Sequence, residues 1–179
     1  MKKLACLILS LLMLICTIGC NTKSIEMTLN DGVLENDFFS IDVSAYKDLW
    51  VGEEETNKAV DLAHACFDLE NDNYNHYIIV QGKKGTGNFP NERYFYDKMV
   101  TQDSRVVSGV ITRFDALSDD LENSIFATIE RQMQDGTTYY YTNIIFEDGG
   151  YYFSIHFYDQ GDNTQDAAYT DAVNSFKLK

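Results

Sequence analysis

From residue 105 to residue 160 apolar residues recur on both faces of four successive β-rich runs, RVVSGVITRFDAL, NSIFATIERQM, TTYYYTNIIFED and GYYFSIHFYDQ. β-branched and aromatic runs bounded by turn-forming residues read as strands. The links between the runs, Ser118-Asp119-Asp120, Asp135-Gly136 and Asp148-Gly149-Gly150, suit tight hairpins. Four strands joined this way predict an antiparallel meander. Its last strand is apolar on both sides: Tyr151, Phe153, Ile155 and Phe157 on one, Tyr152 and Tyr158 with Ser154 and His156 on the other. A sheet of that kind needs cover on both faces.

Upstream, VLENDFFSIDVS sets Phe39, Ile41 and Val43 against Ser40, Asp42 and Ser44, a half-buried strand, and Trp50 after it reads as a core plug. KAVDLAHACFDLE fits either a helical or a strand period. The turn-like ENDNYN and the β-rich HYIIVQGKK behind it favour a strand and a hairpin. GKKGTGNFPN is a loop, and NERYFYDKMV, with Asn91 as cap and Phe95 and Met99 four apart, is a helix. A second helix closes the chain, with Tyr169, Ala172, Val173 and Phe176 on one stripe. These elements predict an α+β fold of one domain, an α/β/α sandwich whose mainly antiparallel sheet is covered by helices.

The start of the chain has a different character. Lys2 and Lys3 precede thirteen uncharged residues, 4–16, too short for a bilayer span of ~20 residues but right for a secretory signal. Gly19-Cys20 resembles the bacterial lipobox, in which the thiol is acylated and the chain is cut before it; Thr17 departs from the usual leucine. The expected organisation is therefore a signal peptide at 1–19, a polar tether at 20–31 and a domain at 32–179, with Cys20 as the lipid attachment. Extended, the tether and its continuation to Phe38 reach at most ~60 Å. Each acyl methylene buried in the bilayer contributes ~0.8 kcal/mol, so two or three chains anchor firmly.

Cleavage at that point removes Cys6 and Cys16, and Cys66 remains with no partner for a disulfide once Cys20 is acylated. It also removes two of 14 basic residues and none of 28 acidic ones, so the mature charge is 12 − 28 = −16. Such a surface repels nucleic acid and anionic headgroups.

GVLENDFFSIDVSAYKDLW near the start, the hairpin DGTTYYYTNIIFEDGGYYFSIHF and the closing AYTDAVNSFKLK, with Ser175-Phe176, resemble the PsbP-like superfamily over residues 32–179. Ala45 departs from the proline many members carry before the tryptophan. The resemblance implies the α/β/α sandwich named above and a non-enzymatic accessory or binding role, with no catalytic residues to carry over.

Few constellations suggest chemistry. Ser108-Gly109 lacks the context of a nucleophile elbow, no His-Glu-x-x-His occurs, and GKKGTG lacks the Lys-Ser/Thr ending of a phosphate loop. DLENDNYNHY begins like a calcium loop at Asp68, Glu70 and Asp72, but has Asn73 for the glycine and Ile79 for the closing glutamate. Asp159, Asp162, Asn163 and Asp166 cluster near the last helix, where capping explains two of them. His64 and Cys66 share a strand face, and His156 or His76 would have to join them for zinc. Tyr139, Tyr140, Tyr141, Tyr151, Tyr152 and Tyr158 read first as strand packing and second as a recognition surface. The expectation is a lipid-anchored extracytoplasmic protein with a non-enzymatic domain and no cofactor, its partner an envelope protein or a small ligand. An envelope-acting hydrolase or transferase, or a metal-binding lipoprotein, are the alternatives.

Overall fold

The computed structural model describes residues 23–44, 55–57, 62–68, 76–161 and 167–179. Two antiparallel sheets form its body. The smaller is built from β1 (Thr28–Asn30), β2 (Val33–Glu35), β3 (Phe39–Asp42) and β11 (Lys177–Leu178), in the order β1-β2-β3-β11. The larger holds β4 (Glu55–Asn57), β5 (Leu62–Asp68), β6 (His76–Lys84), β7 (Val106–Asp115), β8 (Ser124–Met133), β9 (Thr138–Asp148) and β10 (Tyr151–Gly161). Its order is β4-β5-β6-β10-β9-β8-β7. The meander is thus β7 to β10, and the segment of mixed period is a strand paired with β6 as a hairpin, both as the sequence predicts.

The turns follow from their residues. Gly149 and Gly150 both have positive φ, 57° and 80°, as a two-residue hairpin loop of this hand requires. Asp31-Gly32 does the same between β1 and β2, at 50° and 84°. That hairpin lies partly inside the stretch read as a tether, and Ile25 and Met27 before it are buried in the core.

Two helices stand beside the strands among the described residues. α1 (Glu92–Tyr96) runs straight into a π-helical turn, Asp97–Thr101, and α2 (Ala167–Ser175) precedes β11. The α/β/α sandwich expected from the sequence, in which helices cover the sheet, is not what forms. One face of the large sheet packs mainly on the small sheet: Leu34, Phe38, Phe39 and Ile41 meet Phe146, Phe153, Ile155 and Phe157, with Tyr169 and Ala172 of α2 alongside. The other face is covered in part by α1 and its π turn, where Phe95 packs with Ile125, Ala127, Ile129 and Tyr141. The reason is length. A five-residue helix rises ~7.5 Å and cannot roof strands that run roughly 35 Å. The period-two residues of the N-terminal segment supply the missing layer as strands.

Trp50 and Ala45 lie outside the described residues, as do the signal segment and Cys20.

Candidate functional site

The partial roof leaves a cavity of about 610 Å³ between the large sheet, α1 and the loop entering it. Local rules place each wall. Asn91 caps α1, its Oδ1 accepting from the Tyr94 N–H at 2.8 Å. The loop before it is tied to the sheet by Gly85 N–H on the Gly150 carbonyl at 2.9 Å and Gly87 N–H on Glu147 Oε1 at 2.8 Å. At the far end Arg131 donates to the Met99 carbonyl at 3.2 Å, holding the π turn. Such turns are frequent at functional sites.

Two glycines in and beside the loop-like GKKGTG stretch are explained by this contact. A Cβ on Gly87 would stand 1.8 Å from the Tyr152 ring, and one on Gly82 would stand 2.8 Å from the Phe153 ring. They let backbone lie against aromatic rings, which is a packing role and not a phosphate cradle.

The floor comes from the polar row of β9 and β10. Tyr141, Asn143, Ile145, Tyr152, Ser154 and His156 line it, with Phe89, Phe95 and Met99 as walls and Tyr94 and Lys98 nearer solvent. Asn143 and His156 are direct cross-strand partners. His156 Nε2 is 2.7 Å from Ser154 Oγ, and its Nδ1 is hydrogen-bonded to the Tyr141 hydroxyl. Burial, reinforced by the Lys98 ammonium, pulls its pKa down to about 4, so the ring is neutral near pH 7. A neutral imidazole has one donor and one acceptor. The phenol is the stronger acid of its two partners, so it donates to Nδ1 and Nε2–H donates to Ser154 Oγ. Burial also raises the Tyr152 hydroxyl, which Ser154 opposes by hydrogen bonding.

Asn143 is the exception in this satisfied row. It is 6% exposed, and its Oδ1 makes no hydrogen bond within the protein. A buried acceptor left unmade costs ~1–3 kcal/mol. The cavity thus has aromatic walls and an uncharged hydrogen-bonding floor, with one unpaired acceptor buried in that floor.

Of the residues singled out from the sequence, His156, Tyr141 and Tyr152 meet here. Cys66 and His64 fall in the register rows of His156 and Ser154, two strands across, with Ile79 and Gln81 between. That separates the backbones by ~10 Å. His76 pairs in register with Asp159, at the far end of β6 from Gln81. Among the described residues no three His, Cys, Asp or Glu side chains stand close enough to hold a metal ion. Asp159 is fully buried within β10, while Asp162, Asn163, Asp166, Glu70, Asp72 and Asn73 lie outside the described residues. The remaining tyrosines pack: Tyr139 on Tyr158, Tyr151 on Phe38, Tyr140 in the core. Asn143 and Ser154 were not singled out by sequence reasoning. Their one signal is a polar residue among large apolar neighbours in adjacent strands.

In comparisons with known proteins, no family matches the chain, and neither does any curated sequence.

Proposed function

We propose that this is a lipoprotein held to the membrane through acylated Cys20, on the extracytoplasmic side, whose domain binds a small ligand without transforming it. The observation that carries the binding claim is a cavity of about 610 Å³ that sets aromatic rings around a polar row of Asn143, Ser154 and His156. That volume is in the range of small-molecule sites, ~300–1,000 Å³, and the lining mixes aromatic rings with the polar side chains of Asn88, Asn91, Lys98, Asn143, Ser154 and His156. The ligand brings a polar group to the row formed by Asn143, Ser154 and His156. It is uncharged at that end, because nothing on the floor would neutralise a buried ion. A net charge of −16 after cleavage argues against nucleic acid as the partner.

Ser154 and His156, 2.7 Å apart, favour a second reading as a hydrolase. Three features weigh against it. A base whose conjugate acid has a pKa of about 4 accepts protons poorly near neutrality. Its second nitrogen rests on a phenol, not a carboxylate. Ser154 also lies mid-strand, flanked on both sides by paired strands, so no pair of free backbone N–H groups is on hand for an oxyanion.

Both readings are tested together. The mature protein in detergent micelles is titrated with indole, phenol and benzamide while amide spectra are recorded, and is separately treated with a fluorophosphonate. Shifts confined to the Asn143, Ser154 and Met99 region, without labelling of Ser154, support binding. Covalent labelling of Ser154 would favour the hydrolase.

A further inference from the structure

The place of Lys23, three residues after Cys20, limits how far the domain can stand from a bilayer. Lys23 Nζ is 2.6 Å from Asp148 Oδ2 and lies 4.9 Å from the centre of the Phe38 ring. Ser24 N–H donates to Asp37 Oδ2 at 2.7 Å, and the Ser24 carbonyl accepts from Asp37 N–H at 3.3 Å. The ion pair is exposed and holds little by itself. The burial of Ile25 and Met27, at 6% and 4% exposure, is what docks the segment. Three residue steps separate Cys20 from Lys23, at most ~11 Å of extended chain.

Resting on the acylation of Cys20 proposed above, we infer that the end of the domain carrying the β9–β10 turn is its bilayer-facing surface, and that the domain stands end-on. The partner of this surface is the lipid headgroup layer. Residues 148–150 form its centre, with Asn123 tied to Glu147 beside them at 3.0 Å and the link at 118–122 on the same side. The β8–β9 turn at Gly136 is at the other end of β9, eleven residues and roughly 35 Å away.

Charge does not draw this end to the membrane. Asp119, Asp120 and Glu122 stand there together with Glu147 and Asp148. The attachment is covalent and short, so it holds the end down regardless. Repulsion between an acidic body and anionic headgroups then acts on the flanks, lifting them and favouring the upright posture. The domain is therefore close to the membrane but not adsorbed to it, its distance set by chain length and its posture by that repulsion.

The test uses the acylated protein in vesicles of phosphatidylglycerol and phosphatidylcholine carrying an acceptor dye on the headgroups. A donor dye is coupled to p-azidophenylalanine in place of Glu122 at the near end or of Gln134 at the far end, both exposed positions. Energy transfer severalfold stronger from 122 than from 134 is expected, the contrast narrowing at higher salt as the repulsion that lifts the flanks is screened. A ten-residue Gly/Ser spacer inserted between Thr22 and Lys23, ~17 Å in r.m.s. length, should weaken transfer from 122. Equal transfer from the two sites, or stronger transfer from 134, overturns the inference. Intact mass measured on the same sample separates the two claims. An unmodified Cys20 sinks the anchor itself, whereas an acylated Cys20 with equal transfer sinks the posture alone.

Discussion

Asn143 and His156 face each other across β9 and β10, and only His156 has all its polar atoms paired. Replacing Asn143 by leucine removes an acceptor that nothing in the fold satisfies, so Asn143→Leu is expected to raise stability by ~1 kcal/mol in urea unfolding while it abolishes ligand binding. A loss of stability would mean that the side chain serves the fold. His156 gives a pH dependence whose sign follows from its environment. Its folded pKa of about 4 lies below the unfolded value of 6.5. Between those values the unfolded chain holds a proton that the folded one does not, so stability falls as pH drops from 6.5 towards 4. The contribution is fully present above 6.5. The slope approaches about 1.4 kcal/mol per pH unit in mid-window. Unfolding curves of His156→Gln should lack that component; parallel curves for both proteins would contradict the burial argument.

At the scale of elements, the cavity depends on a loop pressed against a ring. Gly87→Ala places a methyl group 1.8 Å from Tyr152, so the ring or the loop must move. A cost of ~1–3 kcal/mol is expected, together with weaker ligand binding, both readable by titration of the variant. Most strands were legible in the sequence because long runs of β-branched and aromatic residues bounded by turn residues repeat their signal many times, as in β8, β9 and β10. β1 and β2 were not, being three residues each, too short to show a period. Asp31-Gly32 carried the hairpin signal that would have revealed them. The helices were placed correctly, but their role as layers was not. Nothing local in Phe39 or Ile41 says that the strand they form joins a separate sheet rather than the large one. The site was legible only in part. His156 and two tyrosines stood out by type, whereas the cavity over Asn143 exists only once α1 and its loop are in place.

For the whole molecule, the packed N-terminal segment changes where the folded unit begins. Ile25 and Met27 are core residues, so a soluble form starting at Ser24 retains them and one starting at Gly32 does not. At ~1.5–3 kcal/mol for each buried side chain, the shorter form is expected to lose roughly 3–6 kcal/mol in thermal or urea unfolding. Equal stability of the two forms would show that the segment merely rests on the domain. The same packing brings the cavity close to the proposed membrane-facing end. Tyr152 on its floor is two residues past Gly150, and the loop that shapes it is tied to that turn. A ligand dissolved in or near the headgroup layer would meet the site without crossing the length of the domain. The most direct measurement is a fragment screen by ligand-observed NMR on the acylated protein, run beside Asn143→Leu. Fragments bearing an N–H or O–H donor on an aromatic ring should bind the natural protein and lose binding in the variant. Hits retained unchanged in the variant, or none with either protein, would contradict a ligand site at this cavity.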